Sequence, residues 1–129
     1  GGCIGESWRW RTGTATCAFV KTLPAAETAM LEAEAAALVE LEAAGAIRVP
    51  RVLGRGVAGS LAWLALEWLD LETPSPATDA ELGERLAGLH RMRAERHGWH
   101  RDNYIGRTPQ VNAPHADWVS FLRACRLAP

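Results

Sequence analysis

The chain has 129 residues, of which 48% are hydrophobic and 22% charged, and its net charge is −1. That length supports one ordinary domain with a real core, and that composition reads as soluble and globular and excludes intrinsic disorder. The 14 basic residues are scattered and no apolar run approaches a membrane span, which excludes a nucleic-acid or membrane partner.

The chain opens on Gly1-Gly2 rather than Met and stops at Pro129 just after an amphipathic stretch, as a piece of a longer protein would. A glycine-rich turn, Gly1-Gly2-Cys3-Ile4-Gly5-Glu6-Ser7, comes first. Residues 8–10 and 15–21 then read as two short strands joined by the polar turn Arg11-Thr12-Gly13-Thr14, since β-branched and aromatic residues fall in the strands and glycine in the turn. Pro24 suits the first turn of a helix and Gly45 its end. The Ala-, Glu- and Leu-rich residues 25–44 between them are strong helix formers. Leu31, Ala35, Leu38 and Leu41 or Glu42 recur at helical spacing as the buried stripe, with Glu34 on its edge and Glu27, Glu32 and Glu40 toward water.

Residues 49–53 read as a short strand, and the continuous apolar run 61–69 as a strand covered on both faces. Residues 72–77, with two prolines, read as a linker. Thr78 and Glu81 have capping-box spacing, so a helix is predicted from there, carrying Leu82, Leu86, Leu89 and Arg93 on one face and ending at Gly98. Residues 99–112 are turn-rich and extended, and residues 117–127 begin another amphipathic helix. The pattern is α+β.

A nucleoside triphosphate needs a cradle for phosphates, a cation on them and an apolar slot with a polar edge for the base. The chain offers these in order. The glycine turn lets backbone N–H groups approach phosphate oxygens. Lys21 closes Phe19-Val20-Lys21 with one ammonium, and Glu34 on the next helix is placed to pair with it. Backbone groups of Glu67-Trp68-Leu69, just before the linker, suit an adenine edge. Each feature alone is weak, and no Gly-Lys-Ser or Gly-Lys-Thr makes a Walker pattern; the ordered set is the layout of a protein-kinase-like small lobe.

The resemblance then becomes specific. Gly-Gly-Cys-Ile at the start, Phe19-Val20-Lys21, the helix segment Glu32-Ala33-Glu34-Ala35-Ala36-Ala37-Leu38 and Gly45-Ala46-Ile47-Arg48-Val49-Pro50-Arg51 resemble fructosamine (ketosamine-3-) kinases in sequence and order. So do Leu66-Glu67-Trp68-Leu69-Asp70-Leu71, Gly98-Trp99-His100, Ile105-Gly106, Pro109-Gln110-Val111-Asn112, and the stretch from Asp117-Trp118 to Arg126-Leu127. The resemblance implies a kinase-like small lobe, an antiparallel sheet with one long helix, over residues 1–71. It implies a linker at 72–78 and the first helices of a truncated large lobe at 79–129. It implies ATP and Mg²⁺ as cofactors and transfer of the γ-phosphate to a sugar hydroxyl of a glycated amine or glycated protein, which leads to deglycation. Gly2, Cys3, Ile4 and Gly5 correspond to the phosphate-covering loop, Lys21 to the phosphate-binding lysine, Glu34 to its helix partner, and Glu67, Trp68 and Leu69 to the adenine-contacting hinge. Gly5 stands where the family pattern has a polar residue.

His100-Arg101-Asp102-Asn103 imitates a kinase catalytic loop, but that loop needs Asn five residues after its Asp. Asp102 leads to Arg107, Asp70 to Ser75, Asp79 to Glu84 and Asp117 to Leu122. No catalytic base is therefore assigned within the chain; the family's His-Gly-Asp stretch and the metal ligands are expected beyond Pro129, and the chain alone is expected to be inactive. His97, His100 and Asp102 lack a supporting Cys or Glu at ligand spacing, and a surface turn is the preferred reading over a metal site. Asp102 and Asn103 are candidates for sugar contact, set against a capped turn. Cys3, beside backbone N–H groups and a lysine, is a candidate redox brake through a disulfide between two copies; the alternative is an inert residue in a turn. The odd count of cysteines, Cys3, Cys17 and Cys125, without CxxC spacing points to reduced thiols and a cytoplasmic setting. Two other functions stay open: a non-catalytic module that binds nucleotide or a partner, and a related kinase acting on an aminoglycoside, choline or homoserine.

Overall fold

The computed structural model describes residues 4–127. Gly2 and Cys3, and with them half of the expected phosphate loop and the redox candidate, lie outside the described residues. One compact unit ends at Met92 and a second begins at Arg93.

The first unit is built on an antiparallel sheet of β1 (Glu6–Thr12), β2 (Ala15–Pro24), β3 (Val52–Ala58) and β4 (Leu61–Glu67), in the order β1-β2-β4-β3. Both hairpins turn through a two-residue loop whose first member is a glycine of positive φ, Gly13 at 62° and Gly59 at 58°. That geometry matches the twist of the flanking strands, and its positive φ favours glycine. A single 3₁₀ turn (Ala25–Glu27) leads into α1 (Thr28–Ala44), which ends on Gly45 in the left-handed region.

Helix α1 lies on one face of the sheet. Leu31 and Ala35 from the helix meet Leu23, Ala62, Leu64 and Leu66 from the strands in the core, with Ile4, Phe19, Met30, Leu38 and Val52 packed around them. In β4 only alternate residues are buried, namely Ala62, Leu64 and Leu66, while Trp63 and Ala65 remain half-buried on the other face. The expectation of a strand covered on both faces is thus corrected. One helix covers one face, and small residues such as Ala62 and Ala65 made a half-covered strand read as continuously apolar.

Three boundaries also differ from expectation. Pro24 ends β2, paired with Leu61, and does not open the helix. Proline costs no ladder bond at a strand end, and Ala25 N donates to Ser60 O at 2.8 Å, holding the chain extended there. The strand expected at 49–53 runs instead from Val52 to Ala58. Gly54 and Gly56 disguise it, yet both lie under the Trp63 indole, where a Cβ would come within 3.2–3.4 Å of the ring. Finally, α2 (Pro76–His90) starts at Ser75, not Thr78: Thr78 N donates to Ser75 Oγ at 3.2 Å and Ser75 N to Thr78 Oγ1 at 2.6 Å. Pro76 occupies the first helical position, which suits its missing N–H. Glu81 pairs with Arg85 one turn on instead of capping. Residues 68–75 carry no helix or strand.

The second unit contains a short hairpin, β5 (Asn103–Ile105) with β6 (Thr108–Gln110), then α3 (Trp118–Leu122) and a π-type turn (Arg123–Leu127). Asp117 caps α3, accepting from Ser120 N at 2.9 Å, which holds its carboxyl below the usual range. Gly98 does not end a helix. It has a positive φ of 134°, which favours glycine, and lies so close to the segment after β6 that a Cβ would stand 2.7 Å from Asn112 O. The helix expected to reach it stops at His90, because residues 97–99 bond across to 112–115 (His97 N to His115 O, 2.9 Å; Trp99 N to Asn112 O, 2.9 Å). Among the described residues no helix is long and apolar enough to cross a membrane.

Candidate functional site

The β2–β4 register sets Phe19, Lys21 and Leu23 opposite Leu66, Leu64 and Ala62, on the face that carries α1. The stem of Lys21 is flanked by two core residues and its ammonium emerges at the edge of the core. Helix α1 supplies Glu34 at that edge, and Lys21 Nζ donates to both carboxylate oxygens, at 2.9 Å to Oε1 and 2.6 Å to Oε2. The two side chains remain 32% and 34% exposed. Such a pair contributes only about 0–1 kcal/mol to folding, so its stability value does not explain a carboxylate gripped through both oxygens. What it does is hold one cation in a defined place.

Gly5 immediately precedes β1, the strand beside the one that carries Lys21. Glu6 pairs with Thr22 and Ser7 with Lys21. Gly5 itself has φ 73°, and a Cβ there would meet Thr22 O and Leu23 Cδ2, both at 2.5 Å. The polar side chain that the family pattern has at this position does not fit this backbone. Ile4 turns into the core.

At the end of β4 and just past it, three to five residues from the level of Lys21, lie Glu67, Trp68 and Leu69; at about 3.3 Å per residue this is roughly 10–16 Å, room for a ribose between base and phosphates. The Glu67 carboxylate is fully occupied by the connector between α1 and β3. Arg48 Nη2 donates to Oε1 at 2.7 Å, and Arg51 donates to Oε2 from its backbone N at 3.2 Å and its Nε at 3.4 Å. The Arg48 hydrogen bond, with help from Arg51, lowers its pKa to about 2. Trp68 is held as well: Nε1 donates to Asp70 Oδ1 at 2.8 Å and the Arg9 guanidinium lies 4.3 Å from the ring centre. The groups left for a ligand at the hinge are therefore backbone groups.

A depressed carboxylate pKa stabilises the folded state fully above the ordinary value of 4.5, and that contribution is lost as pH falls toward 2. Thermal melts between pH 5 and pH 2 should therefore fall more steeply for the native chain than for Glu67→Gln. Parallel curves would show that the clamp carries no linkage.

In the second unit, Asp102 and Asn103 are both engaged by Asn112. Asn112 N donates to Asp102 Oδ1 at 2.8 Å, and Asn112 Nδ2 donates to Asn103 Oδ1 at 2.9 Å and to Arg101 O at 3.1 Å. Arg126 Nη2 completes Asn112 by donating to its Oδ1 at 2.6 Å. His97 packs edge-on to Trp118 and His100 to Trp99, and among the described residues no three His, Cys, Asp or Glu gather to hold a metal ion. Sequence reasoning missed Arg9, Arg48, Arg51 and Asn112. Their partners lie 9 to 19 residues away or further along the chain, beyond any local spacing rule.

The fructosamine kinase family model matches residues 1–129. A protein described as a probable ketoamine kinase from Synechocystis sp. is 35% identical over 128 residues, covering 98% of this chain and 43% of that protein. A chloroplastic protein-ribulosamine 3-kinase from Arabidopsis thaliana is 35% identical over 132 residues, covering 98% of this chain and 39% of its own length. A crystal structure of a candidate fructosamine-3-kinase from Haemophilus somnus 129PT superposes with a TM-score of 0.79 at 25% identity, over 95% of this chain and 45% of that one. The chain thus spans less than half the length of the relatives it matches.

Proposed function

Since the chain belongs to the fructosamine kinase family, we propose that the protein of which it forms a part transfers the γ-phosphoryl group of ATP to a sugar hydroxyl of a ketosamine. The observation that carries this is the Lys21 ammonium held by both oxygens of Glu34 beside a glycine turn. An ammonium in that place suits phosphate oxygens: it orients them and offsets charge that grows during transfer. Gly5 keeps side-chain bulk away from the start of β1, and where β4 ends at Glu67 the backbone of Trp68 and Leu69 offers an edge for adenine. ATP supplies the phosphoryl group; the sugar hydroxyl forms a bond to the γ-phosphorus as the bond to ADP breaks, and the hydroxyl proton leaves to a base.

That base is not among these residues, because no Asp here is followed by Asn at the fifth position. The described residues also form no Mg²⁺ cage. The chain by itself is accordingly proposed to be inactive, with residues 1–71 as the nucleotide lobe, 72–78 as the link and 79–129 as the start of the helical lobe. Residues 68–75 are irregular, and α2 takes in residues 76–78, the last three of that link. A cytoplasmic setting belongs to the same reading, supported by the unpaired thiols of Cys17 and Cys125. So does the redox brake at Cys3 with a dimer linked through it, tested by whether mild peroxide modifies Cys3 ahead of Cys17 and Cys125.

The test is to incubate the full-length protein with ATP labelled at the γ-position and a panel of acceptors. Label is expected on a sugar–lysine ketosamine and not on choline or an aminoglycoside. Transfer to either of those alone, or to no acceptor at all, overturns the assignment.

A further inference from the structure

The cluster around Glu67 contributes to folding above the carboxylate's depressed pKa, but its two cations lie largely in solvent. Arg48 and Arg51 are 59% and 60% exposed, and ion pairs at that exposure contribute little. Yet the cluster is unusually complete. Beyond the carboxylate contacts, Glu67 N donates to Arg51 O at 2.8 Å, so Glu67 and Arg51 are tied reciprocally through backbone and side chain. Arg48 Nη1 also donates to Val49 O at 2.7 Å, bracing the connector against itself.

These contacts lie where two functional parts meet. Glu67 is the last residue of β4, so its tether sets the direction in which the backbone of Trp68 and Leu69 leaves the sheet. The connector it binds follows directly on Gly45, the cap of the helix that carries Glu34. Lys21, opposite Leu64, gives its ammonium to Glu34 on the face that carries α1, whereas Glu67, three positions further along β4, alternates to the other face. The base end and the phosphate end of the candidate site thus use different side chains and can be probed separately.

We propose that Arg48, Glu67 and Arg51 form a positioning clamp that presets the backbone of Trp68 and Leu69 for the edge of a purine base, governing recognition of the base and not of the phosphates. This rests on the nucleotide reading above, and the probes separate the two. ATP engages both ends of the site, whereas inorganic tripolyphosphate engages only the phosphate end.

Calorimetric titration of the full-length protein with each probe, alongside thermal melts, tests the clamp. Glu67→Gln is expected to weaken ATP binding about tenfold, within the usual range for coupling through a positioning group, and to leave tripolyphosphate binding unchanged. Arg48→Ala, which keeps the backbone tie between Glu67 and Arg51, should give the same selective loss, and Arg48→Lys, which keeps the charge, should recover most of it. Equal losses for ATP and tripolyphosphate would mean general loosening and overturn the clamp, as would unchanged ATP binding in both Glu67→Gln and Arg48→Ala. Native protein that binds tripolyphosphate but not ATP overturns the clamp while sparing a phosphate site at Lys21. Failure to bind either overturns the nucleotide reading together with it.

Discussion

Changing Lys21 to Met in the full-length protein is expected to lower kcat for ketosamine phosphorylation by about 10²–10³-fold, the usual effect of removing one group that stabilises transition-state charge. The melting temperature should stay close to that of the native protein. Methionine preserves the apolar stem between Phe19 and Leu23, and the lost ion pair is about one-third exposed at both ends, worth no more than about 1 kcal/mol. Glu34 retains water access once its partner is gone. Glu34→Gln should act in the same direction but more weakly, because the ammonium is still present and only its aim is loosened. Rapid-quench measurement of phosphoryl transfer, paired with calorimetric melts, separates the chemical effect from any folding defect. Native turnover in Lys21→Met would remove this lysine from the site.

The second large effect concerns stability. Asn112 is the one polar residue among those described that is both buried and placed at a junction, 3% exposed. It joins the base of the β5–β6 hairpin, through Arg101, Asp102 and Asn103, to Arg126 in the π-type turn. Arg126 is itself braced by Val111 O at 2.6 Å and by the Phe121 ring at 4.6 Å. Asn112→Ala removes the donor to the Arg101 backbone carbonyl and the Asn103 side-chain amide oxygen, and the acceptor of one Arg126 guanidinium N–H. Each stranded group costs about 1–3 kcal/mol where water cannot reach it, and partial access reduces the sum to about 2–4 kcal/mol. Chemical denaturation should show that loss, and hydrogen exchange should accelerate across residues 103–110. Thr108→Ala, exposed on the same hairpin, should change stability by less than about 0.5 kcal/mol. If the two substitutions behave alike, Asn112 is not what joins these segments.

Much of this was legible from local pattern. The Ala-, Glu- and Leu-rich run closed by Gly45 specifies α1 because helix propensity and left-handed capping are properties of a few neighbouring residues. Phe19-Val20-Lys21 places an ammonium at the rim of an apolar strand, and helical spacing puts Glu34 on the edge of the buried stripe, so their meeting could be anticipated. The strand through Gly54 and Gly56 could not, because its glycines are explained only by the Trp63 ring lying against them. The start of α2 was displaced because two overlapping capping signals, Ser75 with Thr78 and Thr78 with Glu81, compete on equal terms until Pro76 takes the first position.

By itself, then, the sequence determined the order of elements and the sheet-and-helix character of the first unit, and the pairing of Lys21 with Glu34. Only the tertiary structure decided that Glu67 spends its carboxylate on Arg48 and Arg51, that Arg9 covers Trp68, and that Asn112 holds Asp102 and Asn103. Secondary structure follows from interactions within one turn or one strand. The partner of a polar side chain is set by which distant segment comes to lie beside it, and no spacing rule along the chain encodes that.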